Sequence, residues 1–376
     1  MTRKEPSGWL AQLDGIRGIS ILMVLTQHVH APGWARWQGR YGVRVFFVLS
    51  GFLITRLLLR EEHEAGRISL SSFYIRRTFR LFPIYYIVLA VYCILILGFG
   101  VHADGREGFA GALPYYITYT QEIPFFRESS NNPIAMPFGH SWSLGIEEKF
   151  YLVWPVLAFW ALRNQNARIG LAATAFLFFS MARFVSHGQF IYPYAAISCG
   201  CLVALMAERA GVKNRFDYWV SSWRAPVAFL AWPFLHAAVA YEPLPLAVRL
   251  VAELAYPFSI AFVILASLGS GWLGRVFSLT PLVVLGRYSY CIYLIHLMVR
   301  QAVERVLLKM GIGVGNGLLV FVLMVLLSMA GASVLYYAIE SPFREMGRAI
   351  ARSRSRKSRL PIDTHAAVSD AAGTTD

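Results

Sequence analysis

The 376-residue sequence predicts an all-α, polytopic membrane bundle of about ten transmembrane helices, and three observations carry that reading. Hydrophobic residues make up 57% of the chain, charged residues only 15%, and the mean hydropathy of +0.51 is too apolar for a soluble domain of this length. Apolar segments long enough to cross about 30 Å of hydrocarbon recur along the whole chain. Lys and Arg gather in short connections between those segments and at the C-terminus. That loop bias also accounts for the net charge of +14, and with no nucleic-acid motif beside it a nucleic-acid partner is not expected.

In chain order, spans are expected near residues 13–31, 41–60, 80–100, 147–163, 168–185, 190–207, 224–241, 247–269, 283–303 and 315–339. Residues 1–12 read as a cytoplasmic N-terminus. Arg3 and Lys4 before an apolar run resemble a signal peptide, but Asp14 and Arg17 interrupt that run and no small-residue cleavage site follows, so the segment is expected to be retained. An even number of spans puts both termini on one side. Arg60, Arg67, Arg76, Arg77 and Arg80, together with Arg344, Arg348, Arg352, Arg354, Arg356, Lys357 and Arg359, mark that side as cytoplasmic, with Arg305 and Lys309 a mild exception opposite.

The transmembrane domain is expected over residues 13–343. Its long external loop, about 101–146, contains a stretch from Leu113 to Ile123 expected to fold back into the bundle, since irregular backbone is tolerated where protein covers it. Beyond, residues 344–376 turn to Arg and Ser and then to Ala, Thr and Asp, the composition of a basic, disordered cytoplasmic tail. Cys93, Cys199, Cys201 and Cys291 all fall in apolar segments and read as small core residues, and no metal-ligand spacing is present.

Polar residues inside the apolar segments carry the chemistry. Arg17 and His28 in the first span are eleven positions apart, which places them within about 20° of one another and about 16 Å apart along a helix; Asp14 falls near the same face. Such residues persist in hydrocarbon when they face a polar cavity or a partner. The bland alternative is a helix-end salt bridge and an interfacial histidine. On the functional reading His28, which titrates near neutrality, is a general base that takes a proton from an acceptor hydroxyl.

Arg77 and Arg80, at i and i+3 before the third span, offer guanidinium forks that match phosphate oxygens and suit a nucleotide-like donor such as acyl-CoA; the competing reading is ordinary cytoplasmic anchoring. The stretch HSWSLGIEEKFYLVWP brings His140, Trp142, Glu147, Glu148 and Tyr151 to the mouth of the fourth span. Its carboxylates either work or cap the helix, and Glu147 is a candidate to orient or charge-balance an imidazolium. In the ninth span Ser289, Tyr293 and His296 share a face, and an intramembrane histidine is either a functional group or a satisfied packing residue. No nucleophile elbow or Gly-rich phosphate loop is present.

In order and spacing these motifs resemble acyltransferase family 3 of the membrane O-acyltransferases, from Leu13 to Arg344. Arg17 and His28 match its basic residue, ten positions and histidine; Arg77 and Arg80 match its Arg-x-x-Arg. Trp142 to Tyr151, Phe46 to Ile54, Tyr293 to His296, and Glu340, Pro342 and Arg344 match further family stretches. The resemblance implies an integral protein of the bacterial inner membrane. It implies transfer of an acyl group, commonly acetyl, from cytoplasmic acyl-CoA to a hydroxyl of a cell-surface or exported saccharide. His28 would be the base, and Arg77 and Arg80 would contact the donor; the residues' own pattern adds Glu147 as a charge-balancing carboxylate in the reaction and Arg17 on the donor side. Asp14, His140, Trp142, Glu148, Tyr151 and His296 are expected as polar or substrate-facing residues, with no metal. Members often carry an aspartate or another residue where Arg44 stands, so no role passes to Arg44. Other readings are acylation of a small-molecule acceptor such as a macrolide-type metabolite, a proton-coupled transporter, or a non-catalytic sensor.

Overall fold

The computed structural model describes residues 10–101, 105–124, 137–182, 191–209, 245–269 and 271–357, and all regular structure among them is helical. Helix α1 (Ala11–Gln27) leads to a short 3-10 turn (Trp34–Trp37) and then to α2 (Tyr41–Ala65) and α3 (Leu70–Cys93). The α4 helix (Arg106–Ile117) lies in the long connection before α5 (Trp142–Pro155), α6 (Gln165–Ala182) and α7 (Pro193–Ala207). Helices α8 (Leu246–Ser267), α9 (Trp272–Phe277), α10 (Thr280–Lys309), α11 (Gly317–Leu335) and α12 (Ser341–Lys357) complete the described chain. Wide π-type turns prolong α3 over Ile94–Gly98, α5 over Val156–Ala161 and α11 over Tyr336–Glu340.

Five described helices are long and apolar enough to cross a membrane: Tyr41–Ala65, Leu70–Gly98, Leu250–Ser267, Thr280–Lys309 and Gly317–Arg354. The chain is thus a helical, multi-pass membrane protein, and the expected span at 224–241 lies outside the described residues. The first expected span is shorter than its sequence suggests. It ends at Gln27 because Pro32 and Gly33, the latter at φ 83°, turn the chain soon after, leaving α1 with 17 residues or about 25 Å. Elsewhere local rules set the ends. The Ser69 hydroxyl accepts from the Ser72 N–H at the start of α3, Gly66 at φ 71° closes α2, and Asn316 caps α11.

The expected disordered tail begins instead as structure. The helix runs on past Glu340 as α12 and packs along α3, where Gly347 fits under Phe79 and Ser72 Oγ donates to the Ala351 carbonyl at 3.4 Å. A buried Ala351 explains why the basic segment is held rather than released. Residues 358–376 lie outside the described residues. The stretch from Leu113 to Ile123 does fold back: Tyr116 and Tyr119 are buried, Tyr85 Oη donates to the Tyr116 carbonyl at 2.9 Å, and Lys149 pairs with the buried Glu122 at 2.5 Å.

Two helix crossings hold the site's frame. In the first, Gly15 of α1 lies directly under the carbonyl of Phe277 at the end of α9, Gly18 under that of Leu282 in α10, and Gly286 of α10 under that of Asp14, so α1 touches α9 and α10 backbone to backbone. Gly51 of α2 and Gly200 of α7 do the same against Ile197 and Val48. A Cβ at any of these positions would overlap main chain. Apolar side chains then fill one cluster around α2, α5, α7 and α8 and a second around α3, α4, α10 and α11. Polar residues collect where the helices of these two clusters meet.

Candidate active site

The first polar group is built on the early turns of α3, which carry Arg77 and Arg80. The Arg77 guanidinium carbon lies 3.6 Å from the centre of the Tyr151 ring, a cation–π stack that a desolvated setting strengthens. Glu147 and Glu148, one helical turn before Tyr151 on α5, and Tyr290 on α10 face the same guanidinium electrostatically. Arg80 in turn faces Arg17 of α1, Arg77, Arg344 of α12 and the carboxylate of Glu340. Ser50 of α2 donates to Glu147 at 2.7 Å, Tyr290 donates to the Leu81 carbonyl at 2.9 Å, and Cys291 Sγ donates to Glu340 at 3.2 Å.

Arg17, Arg77, Arg80 and Arg344 share this end of the bundle with the carboxylates of Glu147, Glu148 and Glu340. The Nε atoms of Arg77 and Arg80 are buried without a hydrogen-bond partner. A buried donor left unmet costs on the order of 1 to 3 kcal/mol, more when charged, so such a pair marks a place for an anion.

The second group sits at the opposite end of α1. His28 terminates that helix, His140 lies in the 3-10 turn Gly139–Ser141 ahead of α5, and His296 projects from α10. Their rings converge: His28 and His296 are 4.9 Å apart between centres, and His140 and His296 are 5.0 Å apart. His296 Nδ1 donates to the Tyr293 carbonyl at 2.7 Å, which fixes its tautomer and leaves Nε2 as a buried lone pair with no partner. By the same logic His140 Nε2 donates to the Leu294 carbonyl at 3.3 Å and its Nδ1 is bare. Tyr293 donates to the His140 carbonyl, and Ser143 Oγ, 2.7 Å from the Tyr293 hydroxyl, completes the brace.

Outside this ring of imidazoles Arg300 reaches His30 at 2.7 Å and the His28 carbonyl at 3.4 Å. His30 lies beyond the helix, and burial, followed by the Arg300 charge, holds its imidazole below the usual histidine range. The two polar groups are about 16 Å apart along α1, from Arg17 to His28, and about 9 Å apart along α10, from Tyr290 to His296. Among the described residues no group of three His, Cys, Asp or Glu side chains is arranged to hold a metal ion.

The structure therefore brings together Arg17, Arg77, Arg80, Glu147, Glu148 and Tyr151 at one end, and His28, His140 and His296 at the other. Glu147 accepts from Ser50 and lies in the field of Arg77, Arg17 and Arg80. Trp142 packs edge-on to Phe47 at 6.0 Å, and Asp14 stands on the first turn of α1 at the α10 crossing. Sequence reasoning passed over Arg300 and Tyr290. Arg300 was the more accessible of these, since it stands one helical turn, i+4, from His296. Arg44, left without a role, closes on Glu253 at 2.7 Å.

The sequence from residue 10 to 337 matches a family described as an acyltransferase domain. A Staphylococcus aureus (strain COL) protein named provisionally as an O-acetyltransferase is 28% identical over 92% of this chain and 59% of its own length. Peptidoglycan O-acetyltransferase OatA of Listeria monocytogenes is 26% identical over 78% of this chain and 50% of its own. In Bacillus subtilis, YrhL, provisionally named a peptidoglycan O-acetyltransferase, is 27% identical over 90% and 55%. The chain thus matches between 50% and 59% of the length of these relatives, and no solved structure matches it.

Proposed function

Since the chain belongs to acyltransferase family 3, we propose that it is an O-acyltransferase of the bacterial inner membrane that moves an acyl group, normally acetyl, from acyl-CoA to a hydroxyl of an envelope saccharide. The observation that carries this reading is the pairing, along one helix, of an arginine group that has buried, unpartnered Nε atoms with a cluster of histidines. The proposed topology has about ten spans, both termini cytoplasmic, and the arginine end facing the cytoplasm, in keeping with the loop charges. A saccharide acceptor is supported by the name of the Listeria relative, a peptidoglycan O-acetyltransferase.

In this mechanism acyl-CoA enters from the cytoplasmic side, its phosphates against Arg77, Arg80 and Arg17 and its thioester extending toward His28. Glu147, held by Ser50, orients the guanidiniums. His28 removes the acceptor's hydroxyl proton, and the oxygen attacks the acyl carbon. The C–S bond breaks, the ester forms, and the CoA thiolate takes a proton as it leaves. His296, whose own proton is committed to the Tyr293 carbonyl, presents Nε2 to receive the other N–H of His28 and holds that ring in the required tautomer.

Purified protein in lipid nanodiscs, given labelled acetyl-CoA and a muramyl-glycan fragment, should form an acetyl ester on the glycan. His28→Ala should reduce turnover about 10²- to 10⁴-fold with the helix content and elution profile unchanged. Retention of wild-type turnover by that folded variant would remove His28 as the base.

A further inference from the structure

The arginine group does not stop at Arg80. Arg344, which faces Arg80, opens the helix α12, and Arg348 and Arg352 follow at intervals of four on the same face. Arg348 is flanked electrostatically by both Arg344 and Arg352. The three make no ion pair among the described residues, although Glu345 is on the same helix. Like charges at i,i+4 are mutually unfavourable, so their succession needs a reason beyond helix stability.

The helix is also fixed in place. Gly347 lies against the Phe79 side chain and the Ile75 carbonyl, and Ala351 is buried against Ser72, so α12 runs beside the turns of α3 that carry Arg77 and Arg80. A free cytoplasmic anchor would need no such docking. The result is a line of guanidiniums that starts at the buried, unpartnered Nε atoms of Arg77 and Arg80 and emerges at the exposed Arg352.

We propose that α12 is the outer half of the donor site, in which Arg344, Arg348 and Arg352 bind a phosphomonoester on the nucleoside end of the donor while Arg77 and Arg80 hold its diphosphate. The inference rests on acyl-CoA being the donor. It extends that reading by assigning the recognition of the ribose 3′-phosphate, and hence selection for CoA over its dephospho form, to a helix that the chemistry at His28 never touches. Guanidinium forks suit a dianionic phosphate, and the run from buried to exposed suits a ligand that is deep at its acyl end and open to solvent at its nucleoside end.

The test compares acetyl-CoA with acetyl-dephospho-CoA in nanodiscs of neutral phosphatidylcholine. Wild type should show a KM about tenfold or more lower for acetyl-CoA, with similar kcat. The double variant Arg348→Gln/Arg352→Gln should raise the KM for acetyl-CoA to that of the dephospho compound and leave the dephospho KM and both kcat values unchanged. Equal KM values for the two donors in wild type, or a variant that weakens both donors alike, would overturn the proposal. An effect seen only when the nanodiscs contain phosphatidylglycerol would assign the helix to lipid headgroups instead.

A binding measurement separates this idea from the reading beneath it. By calorimetry, wild type should bind adenosine 3′,5′-bisphosphate more tightly than adenosine 5′-monophosphate, and the double variant should lose the difference. Should acetyl-CoA support no transfer while that difference persists, the acyl-CoA reaction fails and the phosphate site stands. If transfer proceeds and the difference is absent, the site fails and the reaction stands.

Discussion

Two arginines enter this bundle and meet different company. Arg44 on α2 donates to Glu253 at 2.7 Å, and its guanidinium also faces the rings of Tyr41 and Tyr192 at 4.4 and 4.9 Å. Tyr192 donates to the same carboxylate. Arg77 on α3 stacks on Tyr151 but retains a buried Nε that nothing accepts, and Arg80 beside it does the same. Burial alone does not tell the two apart. What separates them is whether the fold supplies an acceptor to every buried donor, and a donor that the fold leaves unmet is available to a ligand.

The sharpest way to break this contrast is to remove the answer at Arg44. Glu253→Leu leaves a buried guanidinium unpaired and should destabilise the protein by about 3 to 5 kcal/mol, read as a lower unfolding midpoint, with turnover per folded molecule unchanged. The double variant Arg44→Leu/Glu253→Leu should recover most of that loss. If Glu253→Leu instead abolished turnover in fully folded protein, the pair would belong to the reaction.

Arg77→Gln should behave in the opposite way. It removes a charged donor that the proposed ligand needs, so kcat/KM for acyl-CoA should fall about 10- to 150-fold per folded molecule, or about 1.5 to 3 kcal/mol, whatever the accompanying change in the unfolding midpoint. A fall in stability without a loss of transfer would place Arg77 with Arg44.

The smallest expected effect lies at the histidine end. His30 is held below the usual histidine range first by burial and then by Arg300, so the unfolded chain binds its proton more readily than the folded one. Stability contributed here is present above about pH 6.5, the ordinary histidine value, and declines as the pH falls through and below it. Thermal unfolding scanned from pH 7 to pH 5 should show a shallower acid loss in His30→Gln than in wild type.

Much of the site was legible in the sequence because polar residues inside apolar helices are conspicuous. Arg17, His28, Arg77, Arg80 and Glu147 could each be picked out by type and spacing. Which residues meet across helices was not legible. The convergence of His28, His140 and His296 depends on how α1, the turn before α5, and α10 cross, and nothing local encodes that. The hydrogen bond from Ser50 to Glu147 was hidden for the same reason, since the two lie 97 positions apart. The end of α1 was misjudged because apolarity continues to Val29 after the hydrogen-bonded helix has stopped. At the C-terminus composition suggested a loose tail, while two small residues, Gly347 and Ala351, were enough to dock it.

One consequence follows from the glycines at the α1 and α10 crossing. With main chain resting on main chain at Gly18 and Gly286, no side chain lies between the helices at that level to compress or shift. The interval from Arg17 to His28 is then as stiff as the helix itself, a ruler rather than a hinge. A molecule that must touch both ends is measured by its reach, and bulk added at its middle cannot make up for a chain too short.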